Sequence, residues 1–180
     1  MALPSTVYRT SLQLSDIDHG IYETIQTTVA RHPSETEERL VARLLALALF
    51  YEPDLNFTKG LSATDEPDLW VVGPDGRVQL WVEVGLPEAD RITKACRHAE
   101  RVALLSSGKT LANWDQQHLP KLGNCRNLTV VSVDQSFIST LAASLGRSIT
   151  WSITITEGTL YLTTGDLTHE TAIQIKIGIM

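Results

Sequence analysis

The chain has 180 residues, 43% of them apolar and 20% charged, and a formal net charge of −6. That size fits one domain, 1–180, with a sizeable core, and the acidic balance counts against a surface that is basic all over, though not against a local basic groove. The two cysteines, Cys96 and Cys125, are far apart in sequence and exclude a disulfide scaffold or a structural zinc site.

In chain order, residues 6–14 alternate Val7, Arg9, Ser11 and Gln13 against Tyr8, Thr10, Leu12 and Leu14, the period of a strand. A turn at 16–20 leads to a partly apolar strand at 21–30, and the two predict an antiparallel hairpin. Ser34 stands after Pro33 and three residues before Glu37, the spacing of a capping box. A helical stripe of Leu40, Val41, Leu44, Leu45, Ala48 and Leu49 follows, ended by Glu52-Pro53-Asp54. The run 69–72, the turn Gly73-Pro74-Asp75-Gly76 and the return run 77–84, stopped by Gly85-Leu86-Pro87, predict a second hairpin.

Residues 87–104 read as a helix with Ile92, Ala95, Cys96, Ala99, Val102 and Ala103 on its apolar side, and 109–119 as a shorter helix with Trp114 partly buried. A buried strand at 127–133, a helix at 136–145 closed by Gly146, a Thr-rich hairpin at 150–156 and 159–164, and a last strand at 172–177 complete the chain. This order predicts a mixed α/β fold, a mixed sheet flanked by helices, with added N- and C-terminal strands. No apolar stretch is long enough to span a bilayer, and Met1-Ala2-Leu3-Pro4 does not open a secretory signal. A cytoplasmic protein with no membrane partner is the expectation.

Two carboxylates flank the central hairpin. Asp68 precedes its first strand and Glu83 nearly closes its second. Side chains alternate along a strand, so Gln79, Trp81 and Glu83 share one face while Val78, Leu80, Val82 and Val84 share the other. If Val72 pairs with Arg77, Asp68 is diagonal to Glu83, with Cβ atoms roughly 7–8 Å apart. If the turn is the two-residue Asp75-Gly76, the acids lie directly opposite. Both registers put them on one face, and a bulge at Gly76 would break that parity. Such a pair can hold Mg²⁺, or Mn²⁺ in its place, through oxygen ligands and water. The ion would polarise a phosphate and help generate hydroxide. The competing reading makes both acids solvated strand ends, caps or salt-bridge partners.

Other candidates surround this pair. Arg91, Lys94, His98 and Arg101 recur at intervals of three, four and three, so they share one side of the 87–104 helix, with Arg97 beside them. They can follow a phosphate backbone, or form a solvated face interleaved with Asp90 and Glu100. Glu38 sits at the edge of the first helix's apolar stripe, where a carboxylate can reach the sheet, or can pair with Arg39 or Arg43. Glu37, nearer the middle of the stripe, is accounted for by the capping box. His32 reads as a structural hydrogen-bonding residue. Ser106-Ser107-Gly108-Lys109-Thr110 lacks the first glycine of a phosphate loop and follows a predicted helix rather than a strand, so it is set aside. Cys96 reads as core.

Several segments carry a specific resemblance: Ala30-Arg31-His32-Pro33-Ser34-Glu35-Thr36, Phe57-Thr58 with Gly60-Leu61, Asp65-Glu66-Pro67, Trp81 with Glu83, Gly85-Leu86-Pro87, and Arg91-Ile92 with Lys94-Ala95-Cys96. Through them, over nearly its whole length, the chain resembles the YaeQ family of small bacterial proteins. The resemblance implies a variant of the PD-(D/E)XK nuclease fold, whose restriction-endonuclease-like core runs helix–strand–strand–helix–strand–helix. It also implies that Asp68 takes the place of the motif aspartate, Glu83 that of the following acid, and Glu38, or else Glu37, that of the helix-borne acid. A lysine is expected at position 85, where Gly85 stands, and Lys94 on the next helix is the candidate substitute. Two functions follow as expectations: a Mg²⁺-dependent nuclease acting on nucleic acid, or a catalytically inactive binding module on the same fold, with a transcription-associated role and an unknown protein partner. Fold alone does not choose between them.

Overall fold

The structure, a computed structural model, describes residues 4–59 and 64–180. Residues 1–3 of the segment read for a secretory signal and Gly60-Leu61 of the family segments lie outside the described residues. In chain order the elements are β1 (Thr6–Asp16), β2 (Ile21–Arg31), α1 (Glu37–Leu49), β3 (Asn56–Phe57), β4 (Leu69–Val72) and β5 (Val78–Gly85). They continue with α2 (Ala89–His98), β6 (Ala99–Ser106), α3 (Leu111–His118), a 3-10 turn at Leu119–Leu122 and β7 (Leu128–Ser132). The last are α4 (Gln135–Ala143), β8 (Ser148–Thr156), β9 (Thr159–Thr164), β10 (Leu167–Ala172) and β11 (Gln174–Ile177).

The strands form two mixed sheets rather than one. The terminal sheet has five strands in the order β10-β9-β8-β1-β2, and the central sheet has six in the order β11-β7-β6-β5-β4-β3. β8 joins β1 in parallel and closes the terminal sheet around the predicted β1–β2 hairpin. In the central sheet β5, β6 and β7 are parallel, while β4 and β11 run against their neighbours.

Helix α1 is buried on every side from Leu40 to Leu49, the condition of a helix packed between two layers. Its leucines share one core with Leu12 and Leu14 of the terminal sheet, Val82 and Leu105 of the central sheet, and Ile138 and Leu141 of α4. A second core lies on the other face of the central sheet, where Ile92, Trp114 and Leu122 meet Val102, Leu104 and Val130. No helix among the described residues is long and apolar enough to cross a membrane.

Three further sequence expectations change. The helix predicted over 87–104 ends at His98, and Ala99–Ser106 is the strand β6. An unbroken apolar run such as Val102–Leu105 suits a buried helix face and a buried central strand equally well. Here the strand prevails because β5 and β7 flank it on both edges, and the Asn127 side chain holds the crossing point by donating to the carbonyls of Cys96 at 3.1 Å and Ala99 at 3.0 Å. The cap of α1 is Thr36, whose hydroxyl accepts from the Arg39 N–H at 3.1 Å, and not Ser34. Ser34 instead bonds the His32 ring at 2.7 Å in a turn closed by Glu35 N–H to His32 O at 2.8 Å. The predicted strand at 172–177 resolves into β10, which ends at Ala172, and β11, which crosses to the central sheet.

The central hairpin contains the anticipated parity break and its correction. Gly76 sits at φ +82° in a turn closed by Gly73 N–H to Arg77 O at 2.8 Å. A bulge at Gln79 then shifts the register between Val72↔Val78 and Val71↔Leu80. The two departures cancel, so Leu69 faces Val82 and the acids at 68 and 83 come together at the open end of the pair.

Candidate functional site

A cavity of about 620 Å³ opens beyond the carboxyl ends of β5 and β6, the place where open α/β sheets present ligand sites. Its walls come from the first turn of α1, the segment before β4, the β5–α2 and β6–α3 connections and the start of α4. Asp68, Glu83 and Glu38 all line it, so the structure brings together the three acids singled out in the sequence.

Each acid already has partners. Asp68 is 3% exposed. Its Oδ1 accepts from Arg39 Nη2 at 2.7 Å with Arg43 Nε 3.8 Å away, and its Oδ2 accepts from the Val84 N–H at 2.8 Å. The same arginines embrace Glu35, with Arg39 Nη1 at 3.1 Å and Arg43 Nη1 at 3.2 Å, and Arg43 also reaches Ala30 O at 3.2 Å. Two buried carboxylates and two guanidinium groups thus form one closed network, in which each charge taken out of water has an opposite neighbour. Burial lowers the Arg39 guanidinium's affinity for its proton, but Asp68 and Glu35 outweigh it and hold the group above its ordinary value.

Glu83, also buried, accepts through Oε1 from Trp81 Nε1 at 2.9 Å and Arg91 Nε at 2.8 Å. Burial pushes its carboxyl above the ordinary value of 4.5, Arg91 and the Trp81 N–H oppose the rise, and Asp68 adds to it. Arg91 continues past Glu83 to the carbonyls of Thr64 at 2.6 Å and Glu66 at 2.9 Å, binding α2 to the segment that precedes β4. Glu38 accepts from Ser139 Oγ at 2.7 Å, and Glu37 is exposed.

The basic stripe is not one stripe. Arg91 is committed to Glu83. Lys94 and His98 are exposed on α2, and Lys94 neither lines the cavity nor makes an ion pair with Asp68 or Glu83. Arg101 is on β6 and not on the helix, where Nη2 pairs with Glu52 Oε2 at 2.8 Å at the other end of the strand. The helical spacing that joined the four residues ends with α2 at His98.

Sequence reasoning missed Glu35 and the Ser107–Thr110 segment. Glu35 is 4% exposed, and its only signal was its place in a family segment. Ser107-Gly108-Lys109-Thr110 still lacks the first glycine of a phosphate loop, but it follows the strand β6 and not a helix, and it leads into α3, lining the cavity. The Gly108 N–H donates to Gln135 Oε1 at 3.0 Å. A Cβ at Gly108 would meet Leu86 Cδ1 at 2.8 Å, and its φ is +149°, so glycine is required there. Lys109 is exposed and has no ion pair among the described residues, which makes its ammonium the uncommitted cation of the cavity wall.

The implied magnesium meets a poor fit. No three His, Cys, Asp or Glu side chains converge as a cage among the described residues. Both Asp68 oxygens are occupied, and cationic guanidinium groups sit against both acids of the pair. A divalent cation needs free oxygen donors there and not neighbouring positive charge.

Comparison with known proteins extends these observations. The family model described as "YaeQ protein" matches residues 1–173. The uncharacterized protein YaeQ of Salmonella typhi is 39% identical over 163 residues, covering 90% of each chain, and that of Escherichia coli K12 is 38% identical over the same coverage. The crystal structure of the YaeQ protein from Pseudomonas syringae superposes with a TM-score of 0.93 at 43% identity, covering 99% of both chains. That from Xanthomonas axonopodis pv. citri gives 0.91 at 35% identity, covering 96% of this chain and 98% of its own.

Proposed function

The chain belongs to the YaeQ family, and from that premise we propose that it is a divergent restriction-endonuclease-like domain that binds nucleic-acid phosphate without cleaving it. Supporting the fold assignment is the succession α1–β3–β4–β5–α2–β6–α3, which follows the helix–strand–strand–helix–strand–helix plan apart from the two-residue β3, with the acid pair at the open end of β4 and β5. The observation that carries the functional reading is the neutralisation of that pair: Arg39 holds Asp68 at 2.7 Å and Arg91 holds Glu83 at 2.8 Å, while Lys109 stands free on the same wall. Neutralised acids no longer repel a phosphate, and one uncommitted ammonium offers it a contact.

A Mg²⁺-dependent nuclease of the PD-(D/E)XK kind is the second reading, favoured by the meeting of Asp68 and Glu83. It requires Arg39 and Arg91 to leave those acids, and with Gly85 in the motif position a lysine from elsewhere.

Anisotropy of a labelled single-stranded oligonucleotide, titrated in EDTA and across ionic strengths, tests the proposal. Salt-dependent binding is expected, with Lys109→Ala weakening it and lowering the salt slope by about 1. Lys94→Ala leaves it unchanged. Absence of binding at low salt, or cleavage that appears with Mg²⁺ and disappears in Glu83→Gln, overturns the reading.

A further inference from the structure

Glu83 has one carboxylate oxygen to spare. Its Oε1 takes both hydrogen bonds, from Trp81 Nε1 at 2.9 Å and Arg91 Nε at 2.8 Å. Its Oε2 accepts none among the described residues, although the side chain is only 6% exposed. Asp68, by contrast, uses both of its oxygens. Glu38 also holds one back, but it is half-buried, where water reaches it. A buried charged acceptor without a partner is costly. Glu83 lines the cavity, so the donor for Oε2 comes from there: water when the cavity is open, a ligand group when it is filled.

The rest of the wall narrows what that group is. Register sets Glu83 beside Leu104 and Gly85 beside Ser106 on the adjoining strand, so Ser107–Thr110 continues past the same edge of the sheet. That segment carries the Lys109 ammonium and the Ser107 and Thr110 hydroxyls, donors suited to phosphate oxygens. No aromatic side chain lines the cavity among the described residues, so an unpaired base finds no platform to stack on. A single free oxygen also falls short of the two-point contact that tells one base from another. The cavity is equipped to read the sugar–phosphate backbone, with donors for the phosphate and one acceptor for the sugar.

We infer that Glu83 is a specificity-determining residue that makes this a ribonucleotide site: Oε2 accepts a hydrogen bond from a ribose 2′-hydroxyl, and the protein prefers single-stranded RNA to single-stranded DNA. The inference rests on the phosphate-binding reading above and adds the sugar to it.

The preference comes from an exchange of water. A nucleotide that fills the cavity displaces the water that meets Oε2. Ribose replaces that water with a hydroxyl donor. Deoxyribose offers only a C–H group and leaves a buried carboxylate oxygen unmet. A site built to bond a hydroxyl rejects the analogue that lacks one, and the 2′-hydroxyl is the group that separates RNA from DNA. Arg91, which pairs with Oε1 and continues to the carbonyls of Thr64 and Glu66, keeps the carboxylate fixed while Oε2 faces the ligand.

The test titrates the wild-type protein, in EDTA at low salt, into three end-labelled uridine oligomers of about ten nucleotides. One is the ribose form, one the 2′-deoxy form, and one the 2′-fluoro form, which keeps a ribose-like pucker without the donor. Anisotropy is expected to show the ribose form binding about tenfold or more tightly than the deoxy form, with the fluoro form grouped with the deoxy one. Lys109→Ala weakens the ribose and deoxy forms together and keeps their ratio. Glu83→Gln, its fold checked by a melting curve, brings the ratio down to about threefold or less. The amide oxygen is drawn to the Trp81 and Arg91 donors, so the amide nitrogen, itself a donor, takes the place of Oε2. Equal binding of the ribose and deoxy forms, a fluoro form that matches the ribose form, or a ratio unmoved by Glu83→Gln overturns the inference and leaves the phosphate-binding reading standing. Absence of binding to all three overturns both.

Discussion

Replacing Asp68 with alanine is the most informative single perturbation. It removes the acceptor that Arg39 Nη2 meets at 2.7 Å and that the Val84 N–H meets at 2.8 Å. Asp68 is 3% exposed and Val84 4%, so water does not readily replace the lost carboxylate. Breaking a buried ion pair from one side costs about 3–5 kcal/mol. Glu35 still holds both arginines, which keeps that cost near the lower end, while the orphaned Val84 N–H adds about 1–3 kcal/mol. The expected loss is therefore about 4 kcal/mol by these increments. Urea unfolding followed by tryptophan fluorescence reads it. With a slope of about 2 kcal/mol per molar urea, the midpoint falls by about 2 M. Asp68→Asn keeps one acceptor oxygen without the charge and falls by a smaller amount. A shift below about 0.3 M for the alanine variant, where this slope predicts several times more, would refute the closed-network account. So would an asparagine variant less stable than the alanine one. Repeating the titration in Mg²⁺ adds a second arm: a cation that stabilises the wild type but not Asp68→Asn means the acids hold metal, and the binding-only reading falls.

Two further outcomes follow from the same geometry. Burial raises the folded-state Glu83 carboxyl above 4.5, so its favourable contribution to stability is complete below the unfolded-state value and is lost as pH climbs through the raised one. The stability difference between Glu83→Gln and wild type, measured by denaturant titration at several pH values, therefore moves in favour of the variant upward from about pH 4.5. A difference independent of pH contradicts it. Gly85→Lys puts a lysine where the nuclease reading expects one, at a residue with φ +107°, a strain of about 1–3 kcal/mol for a side chain. It is expected to lower the melting temperature and to leave the protein without Mg²⁺-dependent cleavage on a gel. Cleavage gained by that change would restore the nuclease reading.

Periodicity made much of the fold legible. The alternation in β1 and the stripe in α1 each predict their element because one apolar face must find cover, and cover leaves a repeat in the sequence. The hairpin β8–β9 is marked by its Glu157-Gly158 turn, where both residues adopt positive φ. Periodicity failed at β6, whose apolar run is compatible with either element. That one error displaced Arg101 from its strand and supplied one of the two grounds, beside the missing first glycine, for setting the Lys109 segment aside. Strand alternation drew attention to Asp68 and Glu83, but the register that joins them depends on two irregularities, at Gly76 and Gln79, that cancel.

The sequence by itself determined which stretches bury apolar surface, that two acids stand at the ends of the central hairpin, and that glycine occupies position 85. The tertiary structure decided which charge meets which. Glu35, Arg39, Arg43 and Asp68 become one network only when α1 seats between the sheets with its first turn over the end of β4. Burial of apolar surface is written into the local spacing of side chains. Ion pairs between distant segments act over a few ångströms, and those distances exist only after the layers have packed.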